Sequence, residues 1–203
     1  GVYSTWVNKE LDAHIPDDVE RDVVKWSSSH TKKLLKELDS LFKYDNKLKI
    51  LVMNIEAFST KKGCQYANKF IQANKTMFVI DESTTIKNPS AKRTINCVRL
   101  GKYAHYRRIL TGSPITKSPL DLYSQCMFLD PALLGFSSYF AFRARYADMK
   151  EMTGQGRTFK FVTGYKNLDE LNETLGKFSH RVLKKDCLDL PEKIYIRREI
   201  QMT

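Results

Sequence analysis

Apolar residues follow two different patterns along this chain. Ile50-Leu51-Val52-Met53 and Met77-Phe78-Val79-Ile80 are continuous runs, the mark of short strands covered on both faces. Val23-Val24 within residues 21–26 and Ile109-Leu110 within 108–110 predict two further short strands. Between these runs the apolar residues recur at helical spacing. Leu34, Leu35, Leu38, Leu41 and Phe42 predict a helix over 31–43 with that stripe in the core. Phe70 and Ile71 point a helix over 66–73 inward, and Ile95 and Val98 do the same for a basic amphipathic helix over 90–100. Ser118-Pro119-Leu120-Asp121 is a helix start, with Ser118 able to cap, Pro119 suited to the first turn and Asp121 placed where the helix dipole favours an anion. That helix runs to about Leu129 and stops before Pro131.

The second half is more mixed. Residues 138–149 predict a helix carrying Phe140, Phe142 and Tyr146, and 153–164, with three glycines, a loop or hairpin. Asn167 caps a helix over 168–178, Leu190-Pro191 breaks the chain, and 194–202 reads as a last strand or as a connection to something beyond. Strands alternating with helices predict an α/β domain with a mostly parallel sheet. No internal repeat is visible.

Composition narrows the classes. The 203 residues suit one domain with an appended subdomain, and 42% hydrophobic with 28% charged residues excludes fibrous and low-complexity chains. Two Trp, ten Tyr and eleven Phe supply enough apolar surface to argue against disorder throughout. No apolar run approaches the roughly 20 residues that span a bilayer, and the N-terminus lacks the pattern of a signal peptide. Cys64, Cys97, Cys126 and Cys187 form no closely spaced pair, so they read as reduced, mostly buried thiols of an intracellular protein rather than zinc ligands. The net charge of +11 is unevenly distributed. Between Ser83 and Leu120 there is no Asp or Glu, while Lys87, Lys92, Arg93, Arg99, Lys102, Arg107, Arg108 and Lys117 all fall there. This suits a polyanion such as nucleic acid or nucleotide phosphate, or a solvated face balanced by acids elsewhere.

In an open parallel sheet, ligands gather beyond the carboxyl ends of the strands. Asp81-Glu82 closes the second apolar run and Thr111-Gly112-Ser113 the third, so both sit at such ends. An acidic pair there has a clear use. One carboxylate can hold Mg²⁺, which prefers oxygen ligands and keeps part of its water shell. The other can orient or deprotonate a water attacking a phosphoryl group.

The order and spacing of these elements resemble the Swi/Snf-type branch of the superfamily-two helicase-like ATPases. Asp81-Glu82-Ser83-Thr84 resembles motif II, usually Asp-Glu-Ala-His, and Leu110-Thr111-Gly112-Ser113-Pro114 resembles the Leu-Thr-Gly-Thr-Pro of motif III with one hydroxyl residue exchanged. Trp6–Glu10 resembles the tail of motif Ia and residues 50–59 motif Ib. Phe140–Tyr146 resembles the Phe-x-x-x-Tyr helix after motif III. Residues 181–186 and 188–193 resemble the basic element and Leu-Pro-x-Lys that close the first lobe. Phage and bacterial members look most similar, which implies the cytoplasm of a bacterial or phage-infected cell.

The resemblance implies a RecA-like, partial P-loop NTPase fold over 1–134, a helical extension over 135–193 and a connection toward a second lobe over 194–203. It implies ATP and Mg²⁺ as cofactors of the complete protein, with Asp81 on the metal and Glu82 polarising water. Thr111 and Ser113 would couple nucleotide state to nucleic acid, and Asn54, Lys87 and Asn88 would face double-stranded DNA, held by phosphate contacts without sequence readout.

No G-x-x-x-x-G-K-[ST] occurs in the chain. Gly154-Gln155-Gly156-Arg157-Thr158 mimics a phosphate loop but does not join a buried strand to a helix, so it reads as a loop. With neither phosphate loop nor second-lobe arginine, and no initiator Met, the sequence reads as a piece of a longer motor, inactive alone and prone to self-association. Two other classes compete. A non-catalytic nucleic-acid binder would use the basic surface alone, and carboxylates beside its phosphates would repel them. A two-metal nuclease would need a further acidic cluster near Thr111, which the sequence lacks.

Overall fold

A computed structural model of the protein describes residues 2–29, 31–154, 157–187 and 189. The expected strand over 194–202, most of the 188–193 element and the centre of the glycine-rich stretch at 155–156 lie outside the described residues. The chain forms two compact units, 1–167 and 168–203.

The first unit opens with α1 (Val2–Thr5), a π-helical turn (Trp6–Glu10) and α2 (Leu11–His14). Strand β1 (Arg21–Lys25) leads through α3 (Lys32–Ser40) to β2 (Leu48–Val52), which lies parallel to β1 from Arg21↔Leu48 to Lys25↔Val52. Thr31 starts α3 by accepting the Leu34 N–H on its hydroxyl at 3.1 Å. Next come a 3-10 turn (Ile55–Ser59), α4 (Lys61–Ala73) and β3 (Met77–Ile80). Then a second 3-10 turn (Ser83–Ile86) and α5 (Lys92–Gly101) lead to β4 (Tyr106–Ile109), parallel to β3 from Met77↔Tyr106 to Ile80↔Ile109. The architecture is α/β, as expected, with its parallel strands in two pairs, β1–β2 and β3–β4.

Helix α4 serves both pairs. Its Phe70 joins Val24, Trp26, Leu38 and Leu41 in one core cluster. Its Ala67 and Ile71 join Phe58, Ile80, Ile86, Cys97, Leu100 and Phe128 in the other. In the second cluster the Phe78 ring lies between Phe58 (5.6 Å, stacked) and Phe128 (5.0 Å, edge-on). Helix α4 begins five residues earlier than the apolar stripe suggests. Thr60 caps it, and Gly63 lets it pass against Ala57, where a Cβ would stand 2.2 Å from the carbonyl oxygen.

The apolar runs were expected to be covered on both faces, and they are not. Phe78 and Ile80 turn inward, while Met77 and Val79 are 57% and 41% exposed. Tyr106 and Leu110 are exposed beside them with Arg108 between, so β3 and β4 carry an open face that is apolar apart from one arginine. Strand β2 is likewise only half-buried. Helix phase also differs from expectation at single positions. In α5 the buried stripe is Thr94, Cys97, Leu100 and Gly101, which rotates Ile95 into solvent. Leu35 of α3 is exposed for the same reason.

After β4, a short 3-10 turn (Pro119–Asp121) runs into α6 (Leu122–Leu129), then α7 (Tyr139–Tyr146), capped by the Ser138 hydroxyl. Ser118 makes no side-chain cap. Phe142 and Tyr146 are buried with Tyr123 and packed against the half-buried Phe136, whereas Phe140 points outward. The glycine-rich stretch belongs to an antiparallel hairpin, β5 (Ala147–Gly154) with β6 (Arg157–Tyr165), with a register shift at Asp148/Met149. Asn167 has φ +53° and donates its side-chain amide to the Arg145 carbonyl. The second unit holds α8 (Leu168–Gly176) and α9 (Lys184–Cys187).

Cys64, Cys97 and Cys126 are buried and Cys187 is exposed. Burial pushes the thiols of Cys97 and Cys126 up to about 12, so they are inert at neutral pH. No helix among the described residues is long and apolar enough to cross a membrane.

Candidate functional site

The parallel β3–β4 pair brings its two carboxyl ends to one rim. Leu110 N–H donates to the Ile80 carbonyl at 2.9 Å, and Ser83 N–H donates to the Leu110 carbonyl at 3.0 Å. The ladder therefore continues past both strands. It sets Asp81-Glu82 beside Thr111-Gly112-Ser113.

The acidic turn is specialised. Glu82 has φ +49° and ψ +57°, a left-handed conformation that a non-glycine residue adopts only at a cost of about 1 kcal/mol or more. Its side chain is exposed at the rim. Asp81 is half-buried, and both its oxygens are engaged. Oδ1 accepts the Glu82 N–H at 2.9 Å, and Oδ2 accepts the indole N–H of Trp6 at 2.7 Å. The hydroxyl turn is closed by its own side chains. Thr111 Oγ1 accepts the Ser113 N–H at 3.2 Å, and Ser113 donates its hydroxyl to the Ile115 carbonyl at 2.8 Å.

Two ties join these turns. The Ser83 hydroxyl donates to Gln125 Oε1 at 2.6 Å, and Gln125 Nε2 donates to the carbonyls of Pro114 and Asp121, each at 2.8 Å. The second tie runs from Lys87, whose ammonium bonds the Thr116 hydroxyl and lies 3.6 Å from Asp121. Asp121 Oδ2 also accepts the N–H and hydroxyl of Thr116 and the N–H of Lys117, at 2.8–3.0 Å. Partial burial works to raise the Asp121 pKa. The hydrogen bonds from Lys117 and Thr116, with the Lys87 charge, outweigh that and hold the carboxyl below the ordinary Asp value.

The residues expected to face nucleic acid are separate from this network in part. Asn54 follows the end of β2 and opens the 3-10 turn at Ile55–Ser59. Asn88 uses its side-chain oxygen to accept the N–H and hydroxyl of Ser90. Of the basic residues between Ser83 and Leu120, Arg93 pairs with Glu56 at 2.7 Å and Lys87 with Asp121. Part of that charge is thus balanced by acids from other segments.

Sequence reasoning missed Gln125 and the Trp6 contact. Gln125 carried little signal, since its burial beside Ser124 in α6, where an uncompensated polar group would be costly, shows only in the fold. Trp6 carried none, since its partner lies 75 residues away.

The adjacent carboxylates of Asp81 and Glu82 at the rim suit Mg²⁺, which needs one or two carboxylates and takes its other ligands from phosphate and water. No cluster of three metal-binding side chains occurs among the described residues.

Comparison with known proteins gives a consistent picture. A family model described as SNF2-related domain matches residues 2–203. A Caenorhabditis elegans homologue of the SWI/SNF-related matrix-associated actin-dependent regulator of chromatin subfamily A-like protein 1 is 36% identical over 124 residues. These are 60% of this chain and 17% of that protein. The TATA-binding protein-associated factor mot1 of Aspergillus fumigatus is 33% identical over 133 residues, 64% of this chain and 7% of that one. The DNA repair and recombination protein RAD26 of Saccharomyces cerevisiae is 27% identical over 175 residues, 83% of this chain and 15% of that one. Among solved structures, the Sulfolobus solfataricus SWI2/SNF2 ATPase core in complex with dsDNA matches with a TM-score of 0.40 and 25% identity. The match covers 71% of this chain and 30% of that one. The chain thus spans less than a fifth of the length of these curated relatives.

Proposed function

The chain belongs to the SNF2-related domain family, and on that premise we propose that it is part of the first, RecA-like lobe of an ATP-driven translocase acting on double-stranded DNA. The observation that carries this reading is the continuous ladder that sets Asp81-Glu82 beside Thr111–Ser113 at one rim. Ligands of open parallel sheets bind at such rims.

In this reading Asp81 holds Mg²⁺, and the ion supplies charge neutralisation for the nucleotide's phosphates. Glu82, presented from its left-handed turn, orients the attacking water and takes its proton. The hydroxyls of Thr111 and Ser113 sit in a turn tied by Gln125 to the acidic segment. A change in nucleotide state is thereby passed to the 113–121 loop and on to DNA. Asn54, Lys87 and Asn88 approach the phosphate backbone; for Lys87 this requires giving up Asp121. The basic stretch between Ser83 and Leu120 and the DNA repair function in one relative's name support a DNA partner.

Residues 1–203 carry no phosphate-loop sequence, so by themselves they hydrolyse ATP negligibly. They also self-associate through the open face of Met77, Val79, Tyr106 and Leu110. In the complete protein a second RecA-like lobe supplies the transition-state arginine, worth roughly 10³–10⁵ in rate. A bacterial or phage source, with action in the cytoplasm, rests on the Asp-Glu-Ser-Thr form of the acidic motif alone.

The test is DNA-stimulated ATP hydrolysis by the complete protein. Asp81→Ala and Glu82→Gln should each lower turnover by about 10²-fold or more while DNA binding persists. Unchanged turnover in both variants would instead favour a non-catalytic nucleic-acid binder.

A further inference from the structure

We propose that Trp6 is a positioning residue for Asp81, fixing the orientation in which this carboxylate meets a nucleotide-borne divalent cation. The inference rests on the metal-holding role given to Asp81 above.

The geometry is specific. An aspartate carboxylate turns freely about its last torsion, which has only a broad, two-fold preference. Here two donors, one from the next residue and one from 75 residues away, hold its two oxygens separately. The Glu82 N–H holds Oδ1 at 2.9 Å, and the Trp6 indole N–H holds Oδ2 at 2.7 Å. Together they set the carboxylate plane. An ionised carboxylate has about four lone-pair sites. Two are used, so one on each oxygen is left for a cation or its bound water. The indole N–H is a donor only and does not ionise, so it cannot compete as a ligand. Its bond to a charged acceptor is of the stronger kind.

The backbone around Trp6 supports the same reading. Residues Trp6–Glu10 form a π-helical turn, closed by the Leu11 N–H on the Trp6 carbonyl. Such turns are rare and concentrate at functional sites. Partners that orient a metal-binding side chain change metal affinity by about 10–100-fold when removed.

The probe is Mn²⁺, titrated by electron paramagnetic resonance into the complete protein saturated with a non-hydrolysable ATP analogue. Trp6→Phe keeps one aromatic ring, smaller than the indole, and removes the N–H. It should weaken Mn²⁺ binding about 10-fold or more, with Asp81→Ala weakening it further. If Asp81→Ala loses Mn²⁺ but Trp6→Phe stays within about twofold of wild type, Trp6 is only structural and the proposal falls, while the role of Asp81 stands. If neither variant changes Mn²⁺ binding, the role of Asp81 fails and this proposal with it. Should Trp6→Phe not fold, the wild-type indole ¹H–¹⁵N resonance of Trp6 gives the second readout. It should move when Mg²⁺ and the analogue bind, and in Asp81→Asn. A resonance unmoved by both overturns the proposal.

Discussion

Ser83 donates its hydroxyl to the side-chain oxygen of Gln125 at 2.6 Å, and both residues are completely buried. The bond joins the residue next to Glu82 to a helix that also holds the Pro114 carbonyl, next to Ser113. The acidic turn and the hydroxyl turn are therefore fastened through one amide. Gln125→Leu keeps the volume, strands the buried Ser83 hydroxyl without its partner and releases the carbonyl of the exposed Pro114. Losses of about 1–3 kcal/mol per buried group left unpaired are usual. Urea denaturation should show a loss of about 1–3 kcal/mol for Gln125→Leu, and a smaller one for Ser83→Ala.

Asp121 gives the same region a pH dependence. Its folded pKa lies below the ordinary value of 3.8, so the native state binds its proton less readily than the unfolded chain. The stabilisation is therefore fully present above that value and is lost as pH falls through the lower, folded one. Asp121→Asn removes the charge that holds Lys87 and the amides of Thr116 and Lys117. Wild type should exceed the variant by about 1–3 kcal/mol at pH 7. That gap should narrow below about pH 4 in denaturation curves measured across pH.

Gly63 tests the packing under α4. An alanine in an open helical position gains up to about 1 kcal/mol over glycine. Here the added Cβ would stand 2.2 Å from the backbone oxygen of Ala57, and backbone cannot swing aside. Gly63→Ala should instead cost about 1–3 kcal/mol and lower the melting temperature by several degrees.

Much of this arrangement was legible in the residues. The four parallel strands stand where apolar runs end in polar turns, and Asp81-Glu82 and Thr111–Ser113 meet because parallel neighbours end on the same rim. What the sequence left out depended on distant partners. Met77 and Val79 look like core residues until β3 is seen to be covered on one side only. Ile95 sits one step around a ten-residue helix from Thr94, too short a span for spacing alone to fix the phase. The start of α4 was hidden because Lys61-Lys62-Gly63 carries no apolar stripe and depends on the Thr60 cap. Asp121 was expected to serve the helix dipole, and its side chain turns back to the 116–117 amides instead. Trp6 and Gln125 act across 75 and 42 residues, a range that no local pattern reports.

The central claim is that the acidic turn and the hydroxyl turn line one side of the same nucleotide cleft. Amide hydrogen exchange on the complete protein, with and without Mg²⁺ and a non-hydrolysable ATP analogue, tests it most directly. Peptides covering 81–87 and 111–117 should both slow on nucleotide addition, while the hairpin at 147–165 stays unchanged. Slowing in only one of those two segments, or in neither despite bound nucleotide, would contradict the account.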